Sequence, residues 1–436
     1  MTKVKNIAIL GFGFEGRALF RYLKNNPNNK ITILDRNTGL KIPRGIASIL
    51  GGLYLKNLGN FDLIFRSPGI PYNLPEIKRA KNKVSSLTRL FFKLQPGKII
   101  AITGSAGKTT TAGIIYKIFK SAGKDIYLAG NMGINPLGIL RNLTRDSITA
   151  LELSSFQLQD LHKSPDIAVI GDIYEEHLDK HKTFKEYFNA KAKMGRFQKK
   201  SDYVVFNLDN KFSRALARLS PAKKISFSLD SRKADLFVSK DSIHHKKMGK
   251  IVSLHNIKLR GRHNKKNIMA AVAVALIFKI RPRIIQRAIA GFKGAEHRLE
   301  FVREIRGVKF YNDSKATNVG SAIAGIDSFI EKKIVLSGGN NKNLNLRPLA
   351  LRLAKKDIAF SILFGSARNE LASHLKKTGA KNFTIKKTLN EAVKLAFKKA
   401  KTDQVVLLEP GTSSFDEFES YVERGKKFKN WVRTLK

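Results

Sequence analysis

Cysteine is absent from the 436 residues, tryptophan occurs once, and acidic side chains are scarce. The 34 Asp and Glu stand against 82 Lys and Arg, a formal charge of +48. Without a thiol there is no disulfide framework, no thiolate nucleophile and no Cys-ligated zinc or iron–sulfur centre. Long apolar runs are missing too. The longest clear one, Ile268 to Phe278, is far short of the ~20 residues a spanning helix needs. The opening MTKVKNIAIL carries no small-residue cleavage site. These absences predict a soluble cytoplasmic protein with no membrane insertion.

What is present suffices to fold. At 42% hydrophobic residues the chain is not globally disordered, and its length calls for two or three domains. The charge has two readings. One is a polyanion partner such as nucleic acid. The other is a solvated lysine-rich surface arising from compositional bias. Lys and Arg are spread along the whole chain rather than gathered beside stacking aromatics, which favours the second reading, so no nucleic-acid partner is expected.

Strand and helix patterns alternate throughout, the mark of α/β architecture. Val4–Leu10, Lys30–Leu34 and Phe61–Phe65 read as strands, with a helical pattern over Arg17–Lys24. Gln95-Pro96-Gly97 is a turn cluster and a candidate boundary. A second block has strands at Ile99–Thr103, Thr149–Leu153, Ile167–Ile170 and Tyr203–Asn207. In it Leu259–His263 leads into an Ala-rich helix over Asn267–Ile280. A third block starts near His297, with strands at Lys309–Tyr311, Lys333–Ser337, Phe360–Phe364 and Val405–Leu408. The expected domains are 1–97, 98–296 and 297–436. Residues 231–250 read as a surface hairpin or loop whose His244-His245 pair is solvated. No repeat of solenoid length is visible.

Four motifs carry chemistry. Gly11-Phe-Gly13-Phe14-Glu15-Gly16 follows a strand and opens a helix, and Asp35 ends the next strand. Glycines there let backbone approach a diphosphate, whether of NAD or of any other diphosphate-linked nucleotide. The second motif, Thr103-Gly104-Ser105-Ala106-Gly107-Lys108-Thr109-Thr110, ends as a phosphate loop does. Lys108 can reach the β/γ-phosphates and Thr109 can hold Mg²⁺, although Ile102 stands where a full Walker A pattern has its first glycine. Third, Glu152 ends a strand in Leu151-Glu-Leu-Ser-Ser-Phe-Gln157, where a carboxylate can face a neighbouring phosphate loop and hold Mg²⁺. Fourth, His177 and His181 have the i, i+4 spacing of a helical zinc pair, but Leu178 replaces the glutamate a zinc protease needs.

The ordered set of segments resembles the Mur ligases, the ATP-dependent amino-acid ligases of peptidoglycan precursor synthesis. Its members are the phosphate loop, Gly130-Asn131-Met-Gly133, Glu152-Leu-Ser-Ser-Phe-Gln, Glu176-His177-Leu-Asp and Tyr187-x-x-Ala-Lys191. They continue with Gly261-Arg-His-Asn264-x-x-Asn267, Glu296-His-Arg298-Leu-Glu300 and Asn312-Asp-Ser-Lys315-Ala-Thr317-Asn. Within the family the chain looks most like the branch that adds D-glutamate to UDP-N-acetylmuramoyl-L-alanine, through Leu-Ser-Ser-Phe-Gln-Leu and the ending Ser414-Phe-Asp-Glu-Phe…Tyr421-x-Glu-Arg424-Gly. The resemblance covers essentially the whole chain. It implies a Rossmann-like N-terminal domain that binds the UDP substrate, a central ATPase-like domain, and a Rossmann-like C-terminal domain that binds the amino acid.

By that resemblance Gly104, Ser105, Ala106, Gly107, Lys108, Thr109 and Thr110 bind ATP phosphates. Asn264, Asn267, Arg298 and Asp313 complete the nucleotide contacts, with Arg298 at the γ-phosphate. Thr109, Glu152 and His177 hold Mg²⁺, with two ions expected. Lys191 matches the lysine that is carbamylated in the family and then serves as an anionic oxygen ligand. Gly11, Gly13, Phe14, Glu15, Asp35, Arg36, Ser67, Pro68 and Gly69 resemble the UDP cradle, with Asn131 near the reacting carboxylate. Lys315, Thr317, Lys342, Ser414, Phe415 and Tyr421 match positions around the incoming amino acid. The implied partners are ATP, the UDP-linked acceptor and D-glutamate, acting on a monomer.

The chain departs from the family at three places. Ser105-Ala106 replaces a common Thr-Asn. Glu409-Pro-Gly-Thr412-Ser413 replaces Ser-Pro-Ala-Cys-Ala, which adds a carboxylate near a pocket for a dicarboxylate. Gly338–Leu344 lacks the usual Asp and Gly around Lys342. A sister ligase using another amino acid is therefore an alternative, and a nucleic-acid binder on a ligase scaffold is a remote one.

Overall fold

The computed structural model describes residues 4–436 except 177–180, 256 and 293, so His177 lies outside the described residues. The described chain builds three sheets of five, nine and six strands. Two compact units contain them: 1–255 with 266–289, and 256–265 with 290–436.

The first unit holds two sheets. The five-stranded one runs Ala47–Leu50, Asn29–Asp35, Lys5–Leu10, Leu63–Arg66, Val84–Ser85, all parallel. Strand order reverses beside Lys5–Leu10, so the loops leaving Leu10 and Arg66 diverge there. That is where α/β sheets take ligands. The helix Phe14–Leu23 begins earlier than its apolar spacing indicates, because the loop glycine Gly13 is its N-cap.

The nine-stranded sheet runs Gly249–Ser253, Ser242–His245, Leu236–Ser239, Lys223–Ser228, Tyr203–Asn207, Ile167–Ile170, Lys98–Thr103, Ile148–Glu152, Ile126–Gly130. Its last seven members are parallel and mostly unbroken aliphatic runs, as strands covered on both faces must be. The stretch read as a surface hairpin or loop forms the antiparallel end of this sheet, and His244 stacks on Phe237. Leu259–His263 forms no strand; the helix begins at Arg262, directly after Gly261 at φ +90°. The polar run Arg262–Lys266 fills its first turns, so apolar spacing reveals only the later ones.

One apolar core joins the two sheets of the first unit. It passes from Ile9 and Leu19 through Phe91 and Phe92 to Ile99, Leu151 and Ile170. Arg66 is wholly buried in this region. It donates to Ile70 O at 2.5 Å and to Phe156 O at 3.1 Å, and its guanidinium lies over the Tyr72 ring.

The second unit holds the six-stranded sheet: Glu300–Ile305, Val308–Asn312, Val405–Gly411, Lys333–Gly338, Ile358–Phe364, Phe383–Ile385. The first strand is antiparallel and the other five are parallel. Separate apolar clusters are built around Val406, Leu408 and Phe428 and around Val335, Leu349 and Leu371. Their sheet residues alternate along the strands and so point to opposite faces.

Truncating Arg66 removes a buried donor to Ile70 O and Phe156 O and one of the cations near Asp160. Arg66→Ala is expected to cost about 3 kcal/mol or more of stability, read as a lowered urea midpoint.

Candidate functional site

The glycine loop of the first unit is held by its neighbours. Ser67 Oγ donates to Gly11 O at 2.8 Å, and any side chain on Gly11, at φ +89°, would collide with Ser67. Asp35 accepts from the Phe12 amide at 2.7 Å and from the Asn37 amide at 2.9 Å, so both carboxylate oxygens serve the loop backbone. Gly13, Phe14, Arg36 and Gly69 are exposed around it, with Ser67 and Pro68 half-buried. Glu15 turns inward, where Gln157 Nε2 donates to it at 2.7 Å. Burial raises its pKa to about 7, against the lowering effects of the Gln157 hydrogen bond and Arg66. Gln157 Oε1 accepts from the Ser154 amide at 2.9 Å. One amide side chain thus ties the substrate-loop candidate Glu15 to the segment that follows Glu152.

The phosphate-loop residues lie between the strand Lys98–Thr103 and the helix Lys108–Ser121. Gly107, at φ +80°, is the helix N-cap, and a Cβ there would overlap the Asn267 side chain. Asn267 Oδ1 accepts from Thr111 Oγ1 at 3.3 Å, which brings this candidate nucleotide contact against the loop. Thr109 and Thr110 are buried in the first helical turn and Ala106 is exposed. The Ser105 amide donates to Asp172 O at 2.7 Å, and Asp172 Oδ2 accepts from Lys266 Nζ at 3.0 Å. Amides at a helix N-terminus next to Lys108 suit a phosphate.

Glu152 ends the strand adjacent to the one that feeds this loop, in register with Ile102. It is 2% exposed. Asn131 Nδ2 donates to its Oε1 at 3.2 Å, while its Oε2 has no hydrogen-bond partner among the described residues. A buried carboxylate oxygen with spare capacity, on the strand next to the one that feeds a phosphate loop, is the oxygen chemistry that Mg²⁺ requires.

Lys191 is wholly buried on the helix Phe184–Arg196. Its Nζ donates to Thr103 Oγ1 and Gly104 O, each at 3.2 Å, and lies over the Tyr187 ring. Lys108 Nζ donates to the same Gly104 O at 2.7 Å. Burial, then the Lys108 charge, lowers the Lys191 pKa well below the ordinary lysine value, and Glu176 only partly opposes them. Tyr187 OH and Ser105 Oγ share a hydrogen bond of 2.8 Å, which ties this helix to the loop. Among the zinc-pair candidates, His181 sits in a bend before that helix. It is hydrogen-bonded to Ser155 Oγ at 2.9 Å and stacked on Phe156.

The remaining candidates lie on the second unit. Asn264 Nδ2 donates to Arg260 O at 2.7 Å. Asp313 is buried against Arg298, the Leu299 amide and Lys315, yet desolvation still raises its pKa to about 7. Lys315 Nζ lies over the Tyr421 ring at 5.5 Å, and Lys342 Nζ over the exposed Phe415 ring at 4.3 Å. Thr317 is half-buried and Ser414 buried. Arg424 is wholly buried and ties the two loops that carry them, donating to Ser314 O at 2.9 Å, Thr412 O at 3.2 Å and Ser413 O at 3.1 Å.

Glu409 does not line an open pocket. It is fully buried at a strand end, both carboxyl oxygens lack partners among the described residues, and it packs on Gly325 of the helix Val319–Ile326. Desolvation, then Asp313, raises its pKa well above the usual carboxylate value. The cationic neighbours that Asp313 has are missing around Glu409.

Sequence reading did not find Asp172, Gln157 as the partner of Glu15, or Lys429, which bridges Glu296 and Glu300. Each acts through a partner distant in the chain.

Three family models match the chain: Mur ligase MurD-like, N-terminal domain, over 5–88; Mur ligase middle domain over 102–275; and Mur ligase, glutamate ligase domain, over 297–411. A relative from Acetivibrio thermocellus, UDP-N-acetylmuramoylalanine--D-glutamate ligase, is 36% identical across 99% of this chain and 97% of its own. The protein of the same name from Symbiobacterium thermophilum is 35% identical across 98% of each. Among solved structures, UDP-N-acetylmuramate-alanine ligase MurC from Thermotoga maritima superposes with a TM-score of 0.63 at 17% identity, covering 99% of this chain and 100% of that one. MurF ligase from Thermotoga maritima, in complex with ADP, gives 0.61 at 18% identity, with 99% and 95% covered. At these identities the two structures show the shared fold.

The Glu409 carboxyl generates a sign-definite prediction. Its folded-state pKa lies above its unfolded value, so its contribution is fully present below the unfolded pKa, ~4.3, and is lost as pH rises toward the folded one. The melting temperature of Glu409→Gln relative to wild type should therefore increase between pH 5 and pH 9, by about 2 °C or more. Thermal melts of both proteins across that range check it.

Proposed function

The chain belongs to the Mur ligase family, and from that premise we propose that it joins D-glutamate to UDP-N-acetylmuramoyl-L-alanine with hydrolysis of ATP to ADP and phosphate. The observation that carries the reading is the match to D-glutamate ligases across 98–99% of the chain at 35–36% identity. The phosphate loop, the spare Glu152 oxygen and buried Lys191 supply chemistry that such a reaction needs. No helix among the described residues is long and apolar enough to cross a membrane, and we take the enzyme to act in the cytoplasm as a monomer.

The reaction proceeds in two steps. The acceptor carboxylate attacks the γ-phosphorus of ATP, forming an acyl phosphate and releasing ADP. The amine of D-glutamate then attacks the acyl carbon, loses a proton, and expels phosphate from the tetrahedral intermediate. Neither step requires a nucleophilic side chain, which suits a chain without cysteine. Both demand positioning and neutralisation of anionic charge.

Residue roles follow from this reading. The amides of Gly104–Thr110 and the Lys108 ammonium cradle the phosphates, and Asn267, packed against Gly107, adds a nucleotide contact. Thr109 and Glu152 would hold Mg²⁺, joined by His177. When bound, the metal supplies Lewis-acid charge neutralisation at phosphoryl oxygens. Asn131 orients Glu152. Arg298 balances the transferring phosphoryl group, and Asn264 and Asp313 bind nucleotide. Gly11, Gly13, Phe14, Asp35, Arg36, Ser67, Pro68 and Gly69 receive the UDP portion, with Glu15 bracing that loop from behind. Lys315, Thr317, Lys342, Ser414, Phe415 and Tyr421 receive D-glutamate, whose two carboxylates need cations and hydroxyl donors.

Lys191 is suited to carbamylation. A neutral amine attacks carbon dioxide, and burial beside Lys108 favours the neutral form. The product is an anion between a threonine hydroxyl and a lysine. Lys191→Ala should lower kcat by about 10²-fold or more and recover partly with added short-chain carboxylates. Full activity of the variant, measured as phosphate release, would remove the carbamate from the mechanism.

Substrate identity is tested by phosphate release with ATP, Mg²⁺, the UDP-linked acceptor and a panel of D- and L-amino acids. D-glutamate is expected to stimulate release most. Preference for another amino acid makes the chain a sister ligase, and no stimulation by any of them refutes the ligase reading.

A further inference from the structure

The turn that carries Arg298 has unusual backbone. His297 and Leu299 on either side of it adopt left-handed conformations, φ +63° and +41°. Such backbone is strained for residues other than glycine and persists only where its surroundings over-determine it. The surroundings here are specific. The His297 amide donates to Glu300 Oε2 at 3.0 Å, and Asn312 Nδ2 donates to the same oxygen at 3.1 Å. The His297 ring is buried against Gly425, where any Cβ would overlap it, and its Nδ1 lies 3.0 Å from Asn312 Nδ2. The Asn312 amide nitrogen only donates, so Nδ1 is read as the acceptor and the ring proton is assigned to Nε2.

Glu296, His297 and Glu300 bring three ligand-type atoms within 4.8 Å of one another, a grouping that could hold a metal ion. The chain supplies its own cation instead. Lys429 Nζ donates to Glu296 Oε1 at 2.6 Å and to Glu300 Oε1 at 2.9 Å, from the helix Tyr421–Thr434. The ammonium is 8% exposed as a residue, and its two carboxylate partners raise its pKa despite burial.

The pinned turn reaches two sets of candidate site residues. His297 O accepts from the Lys315 amide at 3.1 Å. The Leu299 amide bonds Asp313, and Arg298 is the charge that most lowers the Asp313 pKa. The helix that supplies Lys429 also begins with Tyr421, whose ring faces both His297 and Lys315.

We propose that Lys429 is a positioning residue: by clamping Glu296 and Glu300 to the C-terminal helix it holds the His297–Leu299 turn, and through it Arg298 and Lys315, in the geometry that phosphoryl transfer and amine attack require. This rests on the ligase reading above. Lys429 touches neither reacting group, so its removal should act on kcat through Arg298 rather than on acceptor affinity.

The test combines Lys429→Met, Lys429→Arg and Arg298→Lys, singly and as the double variant Lys429→Met with Arg298→Lys. Each is assayed with the amino acid that the panel selects, so failure of D-glutamate as substrate leaves this experiment intact. Lys429→Met should lower kcat by about 10- to 100-fold, with the KM of the UDP-linked acceptor changed less than about threefold, and Lys429→Arg should restore most of the rate. In the Arg298→Lys background the same Lys429→Met change should cost less than about threefold, because coupled residues are not additive. A multiplicative loss in both backgrounds, or a kcat within about twofold of wild type for Lys429→Met, would overturn the proposal. If Lys429→Met does not fold, Glu296→Gln, which releases one arm of the clamp, is put through the same comparison.

Discussion

Two lysine ammonium groups converge on one carbonyl oxygen. Lys108 and Lys191 both donate to Gly104 O, and Lys191 is sealed from solvent. Two full charges so placed would repel by about 3 kcal/mol at ~5 Å and an effective dielectric of ~20. The site answers in two ways: Lys191 is driven toward its neutral form, and an acid, Glu176, acts on both lysines. The phosphate loop, the strand-end acid and the Tyr187 helix all take their places around that concentration of positive charge.

Much of this site was legible because it is local. A strand followed by Gly-Ser-Ala-Gly-Lys-Thr-Thr announces a phosphate loop, and Glu152 announces itself by ending the neighbouring strand. The parallel strands were legible for the same reason, as short aliphatic runs bounded by turn residues. Helix starts were less so. Phe14 and Arg262 open helices on polar or exposed turns, where glycine geometry rather than apolar spacing sets the beginning. Lys191 could not be read from its own surroundings in the chain, since a lysine at helical spacing looks like any exposed lysine. Its significance came from family resemblance, and its burial became visible only in three dimensions. Gln157 with Glu15, Asp172 with Lys266, and Lys429 with Glu296 and Glu300 depend on partners 94 to 142 residues away. No local pattern encodes such a choice.

The charge excess separates from the chemistry. The Lys and Arg assigned to binding or positioning, including Lys429 and Arg66, are a small minority of the 82. The buried cations are individually matched: Arg424 by carbonyls, Arg66 by carbonyls and an aromatic face, Lys333 by Asp357 at 2.6 Å, and Lys429 by two carboxylates. Burial without such matching is costly, so the surplus is confined to the exterior. There it can raise the local concentration of anionic substrates, an effect that salt would screen.

The acids of the second unit show how strand-end position and function part company. Asp313 follows the strand Val308–Asn312 and Glu409 lies near the end of the adjacent parallel strand Val405–Gly411, and both lose solvation. Asp313 has Arg298, the Leu299 amide and Lys315 to stabilise its charge. Glu409 faces the helix behind the sheet, with Gly325 giving it room and no donor reaching it among the described residues. The extra carboxylate that made the amino acid's identity doubtful from sequence is therefore a buried core group whose burial favours the protonated form. Its strand neighbours alternate between sheet faces, and a side chain directed at the helical layer is not presented to a dicarboxylate bound beyond the strand ends. The change at Glu409 bears on the sheet–helix packing, while Lys315, Lys342 and the hydroxyl-bearing loops that Arg424 ties together are the residues proposed above for the incoming amino acid.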